Sequence, residues 1–498
     1  MARRRYSCFA TCAPGLEPLL HAEMSALRLA KVERQVGGCY FEGDKTDLWR
    51  ANLGLRTAVR VLMRRSRFEA RDADALYAGV AAEDWEPYLA PEGTLRVDAK
   101  VSASALDHSQ FVEQRVKDAI VDQFQERHGV RPSVDKDEPD LRVAVHLYKD
   151  RVTLQLDSSG HSLHRRGWRE QQGRAPLAET LAAAMLLASG WDRRSPLVDP
   201  FCGSGTILVE AALLATNTAP GLFRERFGFE SWDGHDATGF ERMKERLRAE
   251  AKPLGKLRLV GSDRDPERVE DTLANLDAAG FGGAKNVDVL RADASDVELK
   301  PGWNALVATN PPYGERLGDV AELRGVYRAL GQRLRESAAG YRAAILTGNP
   351  ELAHALELRE QVIHAVEHVV REREREDELG MSRLDAGALH GLADKGFDVR
   401  HGAASERFFE PGALGVGKQG LAGGIQQQCR TRIAGDELDV AVTRLNRFSR
   451  CRSLIGHRFA RSMLSPGVHT RRCVPTVPSR DFTGFSFVPC IGYSTNVK

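Results

Sequence analysis

Asn310, Pro311, Pro312 and Tyr313 follow directly on an apolar run, Asn304 to Thr309, that reads as a buried strand. A side-chain amide followed by two prolines makes a stiff, extended turn, because proline fixes its own φ and pushes the preceding residue out of the helical region. The Asn310 oxygen and the Pro311 carbonyl then become two fixed acceptors facing one small space, with the Tyr313 ring beside them. Two acceptors and a π-face suit the NH₂ of a planar, flipped-out base. A proline-rich loop that merely ends a strand has the same composition, so a second motif must decide.

That motif lies upstream. Ser195 to Asp199 reads as a short strand, and Pro200-Phe201-Cys202-Gly203-Ser204-Gly205 as a glycine-rich turn into a helix starting near Thr206. Glycines there admit a ligand close to the backbone at a helix N-terminus. The GK[ST] ending of a P-loop is missing. Leu208 stands where a dinucleotide fingerprint needs its third glycine. The stretch instead resembles motif I of S-adenosylmethionine-dependent methyltransferases, which implies cofactor contacts by Asp199, Pro200, Cys202, Gly203, Ser204, Gly205 and Thr206, with Asn310 closing the site. Two further strands end on acids. Leu257 to Asp263 presents Asp263, suited to ribose hydroxyls, and Val287 to Asp293 presents Asp293, suited to the adenine amino group. Taken singly, each acid reads as a loop or N-cap residue. Four polar strand ends in this order point to the ligand edge of an open α/β sheet.

Length and composition set the frame. A chain of 498 residues implies about three domains. Its 42% hydrophobic and 28% charged content is ordinary for a globular protein, and a formal charge of +2 does not announce nucleic acid. No window has the length of apolar sequence that a membrane span needs, and Met1 to Tyr6 does not open a signal peptide. The eight cysteines form no CxxC pair. They read as reduced thiols of a cytoplasmic protein, with no metal site. Cys202 is expected to wall the cofactor pocket, and His161 and His164 read as loop residues.

The N-terminal half reads as two small α+β units. Tyr6 to Thr11, Gly38 to Glu42 and Ala58 to Met63 have strand patterns, and Leu16, Leu19, Leu20, Met24 and Leu27 share a helix face. In the second unit, Leu95 to Val101, Leu141 to Leu147 and Val152 to Leu156 alternate. A helix from about Ser109 to Arg127 turns Val112, Val116, Ala119, Ile120 and Phe124 inward, leaving Arg115 and Lys117 outside that stripe. A dimerisation or stability role is the bland alternative for this half.

Residues from about 5 to 355 resemble the THUMP-containing bacterial methyltransferases that modify a guanine N2 in 23S ribosomal RNA. The resemblance is carried by Val116 to Asp122, Pro139 to Arg142, Leu163 to Arg169, Ala175 to Ala183, Ala219 to Trp232, and Asn310 to Leu317. It implies a ferredoxin-like domain over 1–66, a THUMP RNA-binding domain over 67–160 and a Rossmann-like methyltransferase domain over 161–360. It also implies S-adenosyl-L-methionine as cofactor, 23S rRNA as partner, and direct methyl transfer without a covalent intermediate. Asn310, Pro311, Pro312 and Tyr313 would form the catalytic tetrapeptide, with Glu315 and Arg316 either orienting the loop or forming a surface ion pair. Arg115, Lys117, Arg131, Arg165, Arg166 and Arg169 are the candidate RNA contacts. An adenine-N6 methyltransferase and a non-catalytic RNA-binding protein are the rival readings.

The resemblance stops after Arg359. The terminal hairpin of the family, with its Asn-Gly turn, is not found, and Gln361 to Glu378 reads as a charged helix. Residues 361–498 are therefore expected to be a shifted reading frame or a disordered tail. In either case the sheet would end at its fifth strand, Tyr341 to Thr347, with one edge bare.

Overall fold

The computed structural model describes residues 5–170, 177–313, 319–360, 438–440, 443–444 and 486–492. Glu315, Arg316 and the expected helix over 361–378 lie outside the described residues.

The N-terminal half is one sheet. Its strands are β1 (Tyr6–Cys12), β2 (Ala30–Gln35), β3 (Gly38–Gly43), β4 (Ala58–Glu69), β5 (Thr94–Ser102), β6 (Ser133–Val134), β7 (Leu141–Tyr148) and β8 (Arg151–Asp157). They run in the order β2-β3-β1-β4-β8-β7-β5-β6. The twelve-residue β4 pairs with β1 on one side and β8 on the other. A boundary at 66/67 therefore falls inside a shared strand, and the two α+β units are continuous rather than linked. Periodicity did not reveal β2, because an edge strand carrying Lys31, Glu33, Arg34 and Gln35 has little apolar signal. It also passed over α2 (Lys45–Gly54), which starts from an Asp44 and Asp47 capping box.

Helices α1 (Glu17–Ala26), α3 (Ala73–Ala81) and α4 (Ser109–His128) supply the remaining cover. Val112, Val116, Ala119, Ile120 and Phe124 of α4 are all buried, as their spacing requires. Along β7, Leu141, Val143, Val145 and Leu147 are buried, while Arg142, Ala144, His146 and Tyr148 keep contact with solvent.

The second half is a parallel sheet of β9 (Leu197–Asp199), β10 (Leu259–Asp263), β11 (Val287–Arg291), β12 (Leu306–Thr309) and β13 (Arg342–Thr347), in the order β11-β10-β9-β12-β13. Helices α5 (Glu179–Ala188), α6 (Thr206–Ala215), α7 (Ala237–Ala249), α8 (Pro266–Ala278), α9 (Asp319–Ser337) and α10 (Pro350–Ala355) accompany it. Beyond lie β14 (Arg359–Glu360), β15 (Leu438–Val440), β16 (Thr443–Arg444) and β17 (Ser486–Gly492). β17 pairs antiparallel with β13, Ala344 opposite Pro489, and then with β15. The bare edge expected after the fifth strand is thus corrected: β13 has a partner. Pro489 breaks the strand pattern of Ser486–Gly492, which is why sequence reading passed over it.

A buried ion pair locks the halves together. Arg166 and Glu210 meet at 3.1 Å with side chains only 2% and 0% exposed. Arg166 also donates to the carbonyls of Leu163 and Arg56, and Arg56 donates to those of Leu213 and Thr218. Among the described residues, no helix is long and apolar enough to cross a membrane.

Candidate active site

β9 delivers its chain to the carboxyl edge of the sheet, where Asp199 is 1% exposed. Its Oδ1 accepts from the Thr309 hydroxyl at 2.6 Å and from the Phe201 amide at 3.2 Å, while Oδ2 is buried without a partner. Burial first, and the nearby Asp263 charge in addition, push its carboxyl up to about 7 against those two hydrogen bonds. Asp199 therefore sits beneath the turn and ties it to the end of β12. Sequence reading placed it against the cofactor; in this structure its Oδ1 hydrogen bonds run to the turn and to β12.

The two turn glycines differ in purpose. Both have positive φ, +54° at Gly203 and +79° at Gly205. A Cβ on Gly203 would meet nothing within 4 Å, so that position faces open space. A Cβ on Gly205 would stand 2.8 Å from Thr272 Cγ2 on α8. Gly205 is needed for helix packing, and Gly203 leaves room for a ligand at the N-terminus of α6. The Gly203 amide donates to Asp263 Oδ2 at 3.1 Å, so Asp263 supports the turn as well as ending β10. Cys202 points behind the turn: its thiol accepts from Thr272, burial raises its pKa, and Gly261 lies against it. Pro200, Ser204 and Thr206 are buried. Asp293 is exposed and caps a short turn through Ser295.

Arg169 organises the turn from outside. It donates to Glu179 Oε1 at 2.8 Å, Ser204 Oγ at 2.9 Å, Thr206 Oγ1 at 2.9 Å and the Leu177 carbonyl at 3.1 Å. Burial raises the Glu179 carboxyl, and the Arg169 charge opposes that rise. Asn275 of α8, fully buried, donates to the Ser204 carbonyl and accepts from the Glu170 amide. Sequence reading missed Thr309, Thr272, Asn275 and Glu179. Thr272 and Asn275 stand three apart on one face of α8, the available signal, but polar residues at that spacing are common on helices.

At the end of β12, Asn310 holds a buried Oδ1 with no donor among the described residues. Pro311 is buried, Pro312 exposed, and Tyr313 is half-buried against the hydrophobic core. An amide oxygen left unpaired in a half-buried turn is costly unless a ligand completes it.

The RNA candidates need correction. Arg166 is not at a surface, since it is buried in its pair with Glu210. Arg169 is engaged by the turn, so neither is available to phosphate. The cause is the same for both: each cation neutralises a buried acid, Glu210 for Arg166 and Glu179 for Arg169. Arg115 pairs with Asp74 at 3.0 Å and covers the Tyr77 ring. Lys117 pairs with Asp118 at 2.9 Å and Arg131 with Asp122 at 3.3 Å. Arg165 is exposed. His164 bonds the Ser162 hydroxyl, and burial pushes its pKa down to about 3. Among the described residues no cluster of three or more histidines, cysteines or acids could hold a metal.

Comparison with known proteins bears on this arrangement. Residues 7–62 match the RlmL ferredoxin-like domain, 70–157 the THUMP domain and 166–375 the RMKL-like methyltransferase domain. The crystal structure of a "predicted N6-adenine-specific DNA methylase" from Listeria monocytogenes superposes with a TM-score of 0.65 at 32% identity, covering 72% of this chain and 92% of that one. The chain belongs to the THUMP-containing large-subunit rRNA methyltransferase K/L family. A family member, the ribosomal RNA large subunit methyltransferase K/L of Syntrophotalea carbinolica, is 44% identical over 360 residues, covering 70% of this chain and 50% of the relative. The chain thus spans about half the length of such relatives. SMU.472, a putative methyltransferase complexed with SAH, matches with a TM-score of 0.65 at 30% identity, covering 72% of this chain and 93% of that one. Ferredoxin-like, THUMP and Rossmann-like parts in this order agree with the architecture that the sequence implied.

Proposed function

We propose that this chain is a cytoplasmic S-adenosyl-L-methionine-dependent methyltransferase acting on the N2 amine of a guanine in 23S rRNA. The observation that carries the reading is the buried, unpartnered Asn310 Oδ1, held in line with the glycine-rich turn through Thr309 and Asp199. The open space at Gly203 beside the α6 N-terminus fits the cofactor, and the relative complexed with SAH has the same fold. Asp263 and Asp293 are proposed to meet its ribose and adenine. The cofactor, when bound, supplies an electrophilic sulfonium methyl. Asn310 Oδ1 accepts one N–H of the target amine, the Pro311 carbonyl accepts the other, and Tyr313 stacks on the base. Rate then comes from positioning and fixed dipoles.

The adenine-N6 reading is favoured by one observation, the description of the Listeria protein. The THUMP domain weighs toward RNA. Methyl transfer from labelled cofactor to unmodified ribosomal RNA, followed by nucleoside identification, separates the two. N2-methylguanosine is expected. N6-methyladenosine, or no transfer at all, overturns the proposal.

A further inference from the structure

The open face of the N-terminal sheet carries two arginines of β4, Arg64 and Arg67, side by side. Arg64 and Arg67 are three residues apart on β4, so simple alternation would send them to opposite faces. A β-bulge prevents this. Arg64 lies opposite Gln155 and Ser66 opposite Leu154, leaving Arg65 as the extra residue. Arg64 and Arg67 therefore emerge together, and Arg67 donates to Thr153 at 3.2 Å on that face. Arg65 turns to the helix side and pairs with Glu83.

Register continues the row. Arg67 lies opposite Thr153, Thr153 opposite His146, and His146 opposite Lys100. His146 and Tyr148 stand two apart on β7 with ring planes only 4° from parallel and centroids 6.3 Å apart. Lys149 lies over the Tyr148 ring and Arg64 over that of Tyr40. Of the acids on this face, Asp98 is engaged by Arg96 and Arg142, Glu42 by Lys31 and Glu69 by Arg151, while Glu33 lies out on the edge strand β2 opposite Tyr40. Arg64 and Arg67 have no carboxylate partner among the described residues, and Arg64 and Arg151 depress the Arg67 pKa after its partial burial.

We infer that this sheet face, from Arg64 and Arg67 across His146 to Tyr148, grips a single-stranded stretch of the RNA substrate. The cations meet phosphates and the parallel rings stack on bases, a combination that suits single-stranded nucleic acid. An acidic protein surface would use the cations but not the parallel rings. The inference rests on the RNA-methyltransferase reading, and it moves the grip from α4 and the loop after it, where Arg115, Lys117 and Arg131 each have an acid beside them.

The test uses the full chain and a fluorescent single-stranded oligouridylate, titrated across salt concentrations. Arg64→Gln with Arg67→Gln should lower the slope of log affinity against log salt by about 1.4, two phosphates at roughly 0.7 each. His146→Ala with Tyr148→Ala should weaken binding about ten-fold at every salt concentration with the slope kept. Lys117→Gln with Arg131→Gln should change neither. Calorimetric S-adenosylhomocysteine binding should be equal in all, which reports folding separately. Wild-type affinity and slope in both sheet-face pairs would overturn the assignment while leaving the methyltransferase reading intact. A wild-type chain that ignores RNA and binds poly-glutamate would overturn both.

Discussion

The Thr309 hydroxyl donates to the buried Asp199 carboxylate across 2.6 Å, joining the glycine-rich turn after β9 to the Asn310 tetrapeptide after β12. The two motifs lie far apart in sequence; parallel pairing of β9 with β12 sets them side by side, and this hydrogen bond joins their ends.

The Asp199 environment makes stability depend on pH. Its folded pKa of about 7 lies above the ordinary aspartate value of roughly 3.9. A raised folded pKa means stability that is fully present below the unfolded value and lost as pH rises through the folded one. Asp199→Asn should therefore flatten the stability profile between about pH 4 and 7, and leave the variant more stable than wild type at pH 8. Urea midpoints across that range check this. A profile unchanged by the substitution would show that Asp199 is ionised throughout.

Asn310→Ala removes the unpaired acceptor without touching the turn. Methyl transfer should fall by about two orders of magnitude or more, as for loss of one preorganised polar group. Cofactor affinity should stay near wild type, because Asn310 Oδ1 has no hydrogen-bond partner among the described turn residues. Single-turnover rates together with calorimetry provide the measurement, and near-normal turnover would remove Asn310 from the mechanism.

The two glycines should separate. Gly203→Ala meets no atom, so beyond a φ strain of about 1–2 kcal/mol its effect should fall on cofactor affinity. Gly205→Ala collides with Thr272 and should lower the thermal midpoint further, shifting α8 against α6. Equal melting of the two variants would contradict the division.

Arg166→Met should act on the fold. It leaves Glu210 buried without its cation, at a cost of about 3–5 kcal/mol. Denaturant titration should show the loss, and RNA binding by the folded fraction should keep its salt slope. A flattened slope with normal stability would return Arg166 to the RNA surface.

The candidate motifs of the chain stood out in the sequence because each is local. Asn310 to Tyr313 and Asp199 to Thr206 announce themselves by residue type and order, and the parallel strands by short apolar runs. The alternation in β5, β7 and β8 and the stripe on α4 gave those elements their buried faces in advance. What could not be read were relations across the chain. Arg166 and Arg169 look like exposed cations in a basic segment, and only packing against Glu210, Glu179 and the turn shows that they are internal. The charged edge strand β2 and the Pro489-containing β17 owe their state to pairing partners, not to patterns of their own.

The sequence by itself determined which groups could take part in chemistry, because side-chain type and nearest-neighbour backbone restraint are properties of a few adjacent residues. Tertiary structure alone decided which of those groups are free to use it. Desolvation, ion pairing and strand register depend on residues brought from elsewhere in the chain. A single bulge at Arg65 put Arg64 and Arg67 on one face, and one threonine ties Asp199, beneath the glycine-rich turn, to the end of β12.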